Sequence, residues 1–263
     1  MIDLSIIIIS WKMKSMLSEL LHSIVQHADG VSYEIIIVDN FSGDGTVEMI
    51  HSDFPNAILI RNSKNRGVAR ARNQALPLAN GRYILILDAD MLLIENSFKK
   101  MIEFMDKTRD AGICGGKLIF PDGTVQHNAR RYPSPLAFIL RRLSFLRVIQ
   151  NSEVLKNHEM IEWDRNDIRD VDYVIGACQM IRREALKTVG LLDEKIFYGP
   201  EDVDFCLRMY RNGWKVYYYP YTSIIHYEQR ITKKKYLSML SFRHLCGIFY
   251  LFLKYRGRLS RES

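Results

Sequence analysis

The chain has 263 residues, 48% of them hydrophobic, which is enough for one substantial α/β domain or one domain with an appendage. Its net charge of +7 is concentrated at one end: from Gln229 to Ser263 nine Lys/Arg face Glu262 alone, leaving the first 228 residues near −1. That distribution argues against a nucleic-acid-binding body, and four scattered cysteines (Cys114, Cys178, Cys206, Cys246) without a C-x-x-C pair argue against a disulfide framework or zinc site.

The N-terminus runs from Met1-Ile2-Asp3 straight into Ser5-Ile6-Ile7-Ile8-Ile9, with no basic region or cleavage site. No stretch approaches the roughly 18–20 apolar residues of a membrane span. A cytoplasmic protein is expected. Ile6 to Ile9 reads as a first buried strand, and Leu17, Leu20, Leu21, Ile24 and Val25 as the stripe of a covering helix. Glu34 to Val38 is a second strand, ending in Asp39 and a loop of turn formers, Asn40-Phe41-Ser42-Gly43-Asp44-Gly45, before a helix from Thr46. Ala57 to Ile60 is a third strand, followed by Asn65-Arg66-Gly67 and a helix over Val68 to Ala75.

Arg82-Tyr83-Ile84-Leu85-Ile86-Leu87 then forms a fourth, doubly covered strand ending in Asp88-Ala89-Asp90. Two carboxylates this close repel unless a cation neutralises them; the pair reads either as a divalent-metal site or as caps for the next helix. Phe98, Met101, Ile102 and Met105 give that helix its stripe. Ile113 to Phe120 and Val125 to Asn128 flank a turn at Pro121-Asp122-Gly123-Thr124. Residues 133–170 are the hardest to read: from Leu136 to Ile149 an apolar stretch is interrupted by Arg141, Arg142 and Arg147, which suits a helix on an anionic membrane or one packed on the domain. Val171 to Ile181 reads as one strand carrying Gly176-Ala177-Cys178, small residues that let something approach the backbone. A helix opens with Pro200 and Glu201-Asp202-Val203-Asp204 and closes at Asn212-Gly213; Val216 to Tyr219 and Ile224 to His226 are two further strands. Alternating strands and helices predict a mostly parallel, Rossmann-like sheet flanked by helices.

Acids thus fall at two strand ends and one helix start: Asp39, Asp88/Asp90 and Glu201/Asp202. Each alone has a structural explanation, but their order resembles glycosyltransferase family 2 with the GT-A fold. The matching features are Asp39, Asn65-Arg66-Gly67-Val68-Ala69-Arg70-Ala71-Arg72-Asn73, the Asp88-Ala89-Asp90 DxD motif, Gly176-Ala177-Cys178, Glu201-Asp202-Val203-Asp204 and His226, spread over residues 3–228. The resemblance is nearest to bacterial rhamnosyltransferases of polysaccharide assembly. It implies an inverting transfer of one sugar from a nucleotide-diphosphate donor to a hydroxyl of a glycan or polyprenyl-diphosphate-linked acceptor, with Mg²⁺ or Mn²⁺. In that scheme Asp39 binds the nucleobase, Asp88 the ribose, Asp90 and His226 the metal, and Arg66 and Arg72 the donor phosphates. Asp202 is the general base, and Glu201, Gly176 and Ala177 lie on the acceptor side. Two departures matter. Gly190-Leu191-Leu192-Asp193-Glu194 stands for the usual G-x-F-D-E, and no Q-x-x-R-W follows His226, which argues against a processive synthase.

The expected organisation is a catalytic domain over residues 1–228, with 133–170 as an acceptor-side or membrane-facing insertion, and a basic amphipathic helical tail over 229–263. Lys233-Lys234-Lys235 and the uncharged run Leu245 to Leu253 suit attachment to the anionic inner face of a membrane. Packing on the domain, or on a second copy in a homodimer, is the alternative. Other classes fit less well. No G-x-G-x-x-G follows a strand and no Walker A motif occurs. A sugar-1-phosphate nucleotidyltransferase needs a glycine-rich basic loop where this chain has Ser10-Trp11-Lys12-Met13-Lys14. A non-catalytic membrane adaptor has no use for Asp90 and Asp202 together.

Overall fold

In the computed structural model, residues 2–142, 149, 152–229 and 238–261 are described; Arg147 and Lys233-Lys234-Lys235 lie outside them. The first half alternates as the sequence predicts: Leu4–Ser10 (β1), Lys14–His27 (α1), Tyr33–Asp39 (β2), Thr46–Asp53 (α2), Ile58–Arg61 (β3), Val68–Ala75 (α3) and Tyr83–Asp88 (β4). A short strand, Met91–Leu93 (β5), precedes Ser97–Lys107 (α4) and Ala111–Ile119 (β6). The 133–170 region supplies Pro135–Arg142 (α5) and Glu153–Glu159 (α6), bracketed by Ala129–Arg130 (β7) and Arg169–Asp170 (β8). Tyr173–Val174 (β9), Cys178–Arg182 (β10), Arg183–Val189 (α7), Glu201–Arg211 (α8), Lys215–His226 (β11) and Met239–Lys254 (α9) complete the chain.

The main sheet has the order β3-β2-β1-β4-β10-β6-β11-β5, with β8 also on β11, while β7 and β9 form a separate ribbon. The four strands of the first half are parallel. β10 then runs antiparallel between β4 and β6, β11 runs parallel to β6, and β5 lies antiparallel on β11. Helices cover both faces. Leu17, Leu20 and Leu21 of α1 and Phe98 and Met101 of α4 pack with Ile6, Ile8 and Leu85. Ala69, Ala71 and Ala75 of α3 and Phe205 and Met209 of α8 pack with Ile7, Ile36 and Ile86. Each fully buried Ile, Leu or Phe is worth about 1.5–3 kcal/mol of burial, so the alternate faces of β1 and β4 hold both layers. Val25, expected in the α1 stripe, is exposed, because it lies off the face that ends at Ile24.

Three strand expectations differ. Val171 to Ile181 is not one strand, because β9 pairs with β7 and β10 turns back along β4; the break falls at Ile175-Gly176-Ala177. Conversely, Val216 to Tyr219 and Ile224 to His226 belong to a single strand, β11, whose irregular register between Tyr219 and Ile224 accommodates Pro220. Of Val125 to Asn128, Val125 makes only an isolated bridge to Ile119, and the segment otherwise runs as loop into β7.

The C-terminal helix is docked on the domain. Leu251 of α9 is fully buried, Tyr250 and Lys254 bond Asp193, and Lys254 and Tyr255 bond the wholly buried Asp204. Gly247 lets α9 approach: a Cβ there would lie 2.9 Å from the carbonyl oxygen of Gly199. The outward side of α9 carries Phe242, Leu245, Phe249 and Leu253, all exposed.

Candidate active site

Sheet register assembles the site. Ser10 pairs with Asp39 across β1–β2 and Ile9 with Asp88 across β1–β4, so these groups share the carboxyl edge of the parallel strands, where open α/β sheets bind ligands. Two residues beyond Asp88 the chain enters β5, whose Met91 pairs with His226 at the end of β11. The Tyr227 N–H donates to the Asp90 carbonyl at 3.0 Å. That pairing brings His226, 136 positions after Asp90 in the sequence, to 3.5 Å from its carboxylate (Nε2 to Oδ1).

Asp88, Asp90 and His226 line one cavity of about 400 Å³, together with Arg72, Gly176, Glu201 and Asp202. Arg72, almost wholly buried, stands at its centre. Nη2 donates to Asp88 Oδ1 at 2.9 Å and to the Gly176 carbonyl at 2.8 Å, and Nη1 donates to Glu201 Oε1 at 3.0 Å. The approach to Gly176 is close enough that a Cβ there would lie 2.8 Å from Arg72 Nη1. What the small residue admits is therefore this guanidinium. One cation cannot neutralise both acids fully. Burial pushes Glu201 up to about 7, against the pull of Arg72 and aided by Asp202. Its Oε2 is buried with no hydrogen-bond partner among the described residues. Burial likewise raises Asp88, opposed by Arg72 and reinforced by Asp90.

Asp202 sits in the first turn of α8 with its carboxylate fixed by two backbone donors, Gly176 N–H to Oδ2 at 3.1 Å and Val203 N–H to Oδ1 at 2.8 Å. Asp90, like Glu201, is a buried acid of the lining. Burial opposes its ionisation, but His226 and the Gln229 N–H hold it below the usual carboxylate range. Burial lowers His226 in turn, and the contact with Asp90 outweighs it, leaving the imidazole raised.

One oxygen each of Asp88 and Asp90 and one nitrogen of His226 lie within 4.8 Å of one another. Two hard oxygens and an imidazole nitrogen are donors that Mn²⁺ accepts, as do softer divalent ions. The orientation of His226 supports this fit. Gln126 donates through Nε2 to the His226 carbonyl at 2.8 Å, which leaves its Oε1 to accept from Nδ1, also at 2.8 Å. A proton on Nδ1 frees Nε2, on the Asp90 side, as a ligand.

Of the residues singled out in the sequence, Asp88, Asp90, His226, Arg72, Gly176, Ala177, Glu201 and Asp202 all line this cavity. Asp88, given to the ribose by the resemblance, also falls within the metal-ligand cluster. Arg72, given to the phosphates, is engaged by protein acceptors instead. Asp39 and Arg66 lie outside the lining, joined to it by their neighbours Asn40 and Gly67. Asp39 is buried and accepts from the Ser42 N–H at 3.3 Å; the Arg66 N–H donates to Asn40 Oδ1 at 3.0 Å. Gln126 and Arg130 carried no sequence signal, since they lie in a loop and a two-residue strand without periodicity.

Comparison with known proteins agrees with this arrangement. The family model described as Glycosyl transferase family 2 matches residues 5–190. The N-acetylglucosaminyl-diphospho-decaprenol L-rhamnosyltransferase of Mycobacterium tuberculosis is 24% identical over 235 residues, covering 85% of this chain and 76% of that protein. The uncharacterized glycosyltransferase YfnE of Bacillus subtilis is 27% identical over 241 residues, covering 80% and 60%. Among solved structures, the mannosyltransferase PcManGT from Pyrobaculum calidifontis, in complex with GDP-Man and Mn²⁺, superposes with a TM-score of 0.63 at 18% identity over 96% of this chain. TarS 1–349 from S. aureus superposes with a TM-score of 0.60 at 18% identity over 86%. These likenesses establish a GT-A fold. The chain spans 64% and 60% of those two structures.

Two outcomes are expected. Gln126→Leu should weaken Mn²⁺ binding about 10–100-fold in a titration followed by electron paramagnetic resonance; unchanged affinity would remove Gln126 from the site. Glu201 has its folded-state pKa above the unfolded value, so its contribution to stability is full below about pH 4.5 and is lost as pH rises through about 7. Glu201→Gln should flatten the fall of Tm across that window, and an unaltered slope would assign the fall elsewhere.

Proposed function

The chain belongs to glycosyltransferase family 2, and we propose that it moves a single sugar, with inversion, from a nucleotide-diphosphate donor to a hydroxyl of a lipid-linked or glycan acceptor. The observation that carries this is the convergence of Asp88, Asp90 and His226 with Asp202 on one cavity. Asp39, with the Asn40 loop beside it, is the donor's nucleobase end, and Arg66 flanks the phosphates. A divalent ion, Mn²⁺ in our reading, held by Asp90 and His226 with Asp88 completing the set or reaching the ribose, would neutralise charge on the departing nucleoside diphosphate.

The chain's own residues do the rest. Two backbone N–H groups fix the Asp202 carboxylate, which takes the proton of the acceptor hydroxyl as that oxygen attacks the anomeric carbon from the face opposite the leaving group. Arg72 keeps Asp88 and Glu201 at fixed separation, so donor and acceptor sides hold one geometry. Gly176 and Ala177 form the wall against which the acceptor lies. The finer reading, rhamnosyl transfer to a polyprenyl-diphosphate-linked sugar in surface polysaccharide synthesis, is supported by the mycobacterial relative, and a thermal-shift panel of nucleotide sugars with Mn²⁺ would identify the donor.

An acceptor of that kind lies in a membrane. Among the described residues no helix is long and apolar enough to cross one. We place the protein on the inner membrane surface through the outward apolar side of α9 and the basic residues around it, including Arg243, Arg256 and Arg258.

Asp202→Asn should lower turnover about 10²–10⁴-fold while leaving donor affinity within roughly twofold, and Asp90→Ala should instead weaken Mn²⁺-dependent donor binding. Near-normal turnover by Asp202→Asn would overturn the base assignment. On anionic vesicles, Phe242→Glu with Phe249→Glu should abolish flotation with the liposomes; equal flotation of wild type and variant would sink the membrane placement.

A further inference from the structure

The cavity has a second charged end that the donor chemistry does not use. Arg130 of β7 and Arg141 of α5 line it, and both also line a smaller adjoining space of about 210 Å³ with Gln126, His127 and Glu159. Arg130 is oriented by a 2.7 Å bond from Nε to the His127 carbonyl and by a side-chain hydrogen bond with Tyr173. Among the described residues the ion-pair partner of Arg141 is Glu159, at a loose 3.9 Å.

The charged groups at this end shift one another's ionisation. Burial, and then the Arg130 charge, push Arg141 below the usual guanidinium range. Burial opposes the charge of Arg130 as well, but Tyr173 and Glu159 leave it raised. Burial and the two arginines drive His158 down to about 3, and burial with Arg165 lowers His127. The acids facing the pair are Glu159, held ionised by the arginines despite its burial, and Asp202 at the attack position. Glu228 lines the same cavity and acts on His226.

An apolar wall adjoins these cations. Leu240, His244 and Ile248, at four-residue spacing on α9, face the cavity beside Phe138 of α5. Phe138 is locked to α9 by an edge-to-face contact with Phe252, with ring centroids 5.6 Å apart. An anion-binding pair next to an aliphatic and aromatic wall fits a molecule with a phosphate group on an apolar chain.

We propose that Arg130 and Arg141 form a metal-independent subsite for the diphosphate of an isoprenoid-type acceptor, whose chain leaves the cavity along Phe138, Leu240 and Ile248. The proposal rests on the glycosyltransferase reading and adds to it the residues that hold the acceptor's diphosphate and apolar chain. Two guanidinium forks match two phosphoryl groups. Asp202 lines the same cavity and acts on both arginines, so in this reading a sugar linked to the diphosphate presents its hydroxyl there.

The test is calorimetric titration of the full chain with farnesyl diphosphate in EDTA, where no metal-bridged donor site exists. Wild type should bind it; Arg141→Gln and Arg130→Gln should each bind roughly tenfold or more weakly, and Arg141→Lys should fall between. All variants should bind the nucleoside diphosphate with Mn²⁺ as wild type does, which certifies their fold. Inorganic pyrophosphate should bind roughly tenfold or more weakly than farnesyl diphosphate, because it forgoes the apolar wall. The proposal is overturned by loss of farnesyl diphosphate binding in EDTA, by equal affinity in wild type and both glutamine variants, or by equal affinity for inorganic pyrophosphate. Absence of nucleotide binding in every protein, wild type included, would overturn the donor reading instead and leave this subsite standing.

Discussion

A single buried guanidinium holds the two halves of this site in register. Arg72 is contributed by α3 in the first half, and it reaches the end of β4, the loop before β10 and the first residue of α8. Taking a charge out of water costs several kcal/mol unless geometry and hydrogen bonds compensate, and here two carboxylates and one carbonyl supply the compensation. The arrangement is demanding in both directions. Removing either carboxylate leaves a cation underpaired in a dry place, and removing Arg72 leaves Asp88 and Glu201 to repel each other beside Asp90 and Asp202. Gly176 follows from the same constraint, because any side chain at that position would occupy the guanidinium's space.

Much of the first half was legible because its strands are doubly buried. Ile6 to Ile9, Ile35 to Val38 and Ile84 to Leu87 can satisfy their burial only as interior parallel strands, and the acids that close them then fall on one edge. The second half was less legible, for reasons visible in particular residues. Ile175-Gly176-Ala177 breaks an apolar run because of a tertiary contact with Arg72, a residue over 100 positions away. Pro220 reads as a strand end, yet β11 passes through it by an irregularity of register. Met91–Leu93 is too short for any periodicity, although it is the strand that delivers Asp90 to His226.

The candidate site divides the same way. Asp90, Asp202 and His226 were found as acids and a histidine at element ends, since chemistry-bearing residues at such positions stand out. Gln126, which orients His226, did not, because a lone glutamine in a loop has no pattern to betray it. Arg141 was visible as a charge interrupting an apolar stretch, and only the fold turns it inward. The C-terminal segment reads as an amphipathic tail, and the polar contacts of α9 are specific. Asp193 and Asp204 bind Tyr250, Lys254 and Tyr255, so α9 is a wall of the domain as well as an outward apolar surface.

The antiparallel placement of β10 carries a consequence for how such a protein can diversify. Because β10 starts where β4 stops, the whole excursion from β7 to β9 leaves and re-enters the sheet at the same edge, beside Asp88. Apart from β8, which lies on β11, the excursion can therefore change in length, charge and composition without shifting β1, β2 or β4. At the seam it must return the Gly176 carbonyl to the waiting guanidinium, the Gly176 N–H to Asp202 and the Ala177 carbonyl to the Asp88 N–H. One side of the cavity can thus be rebuilt while the strand ends that form the other side keep their places.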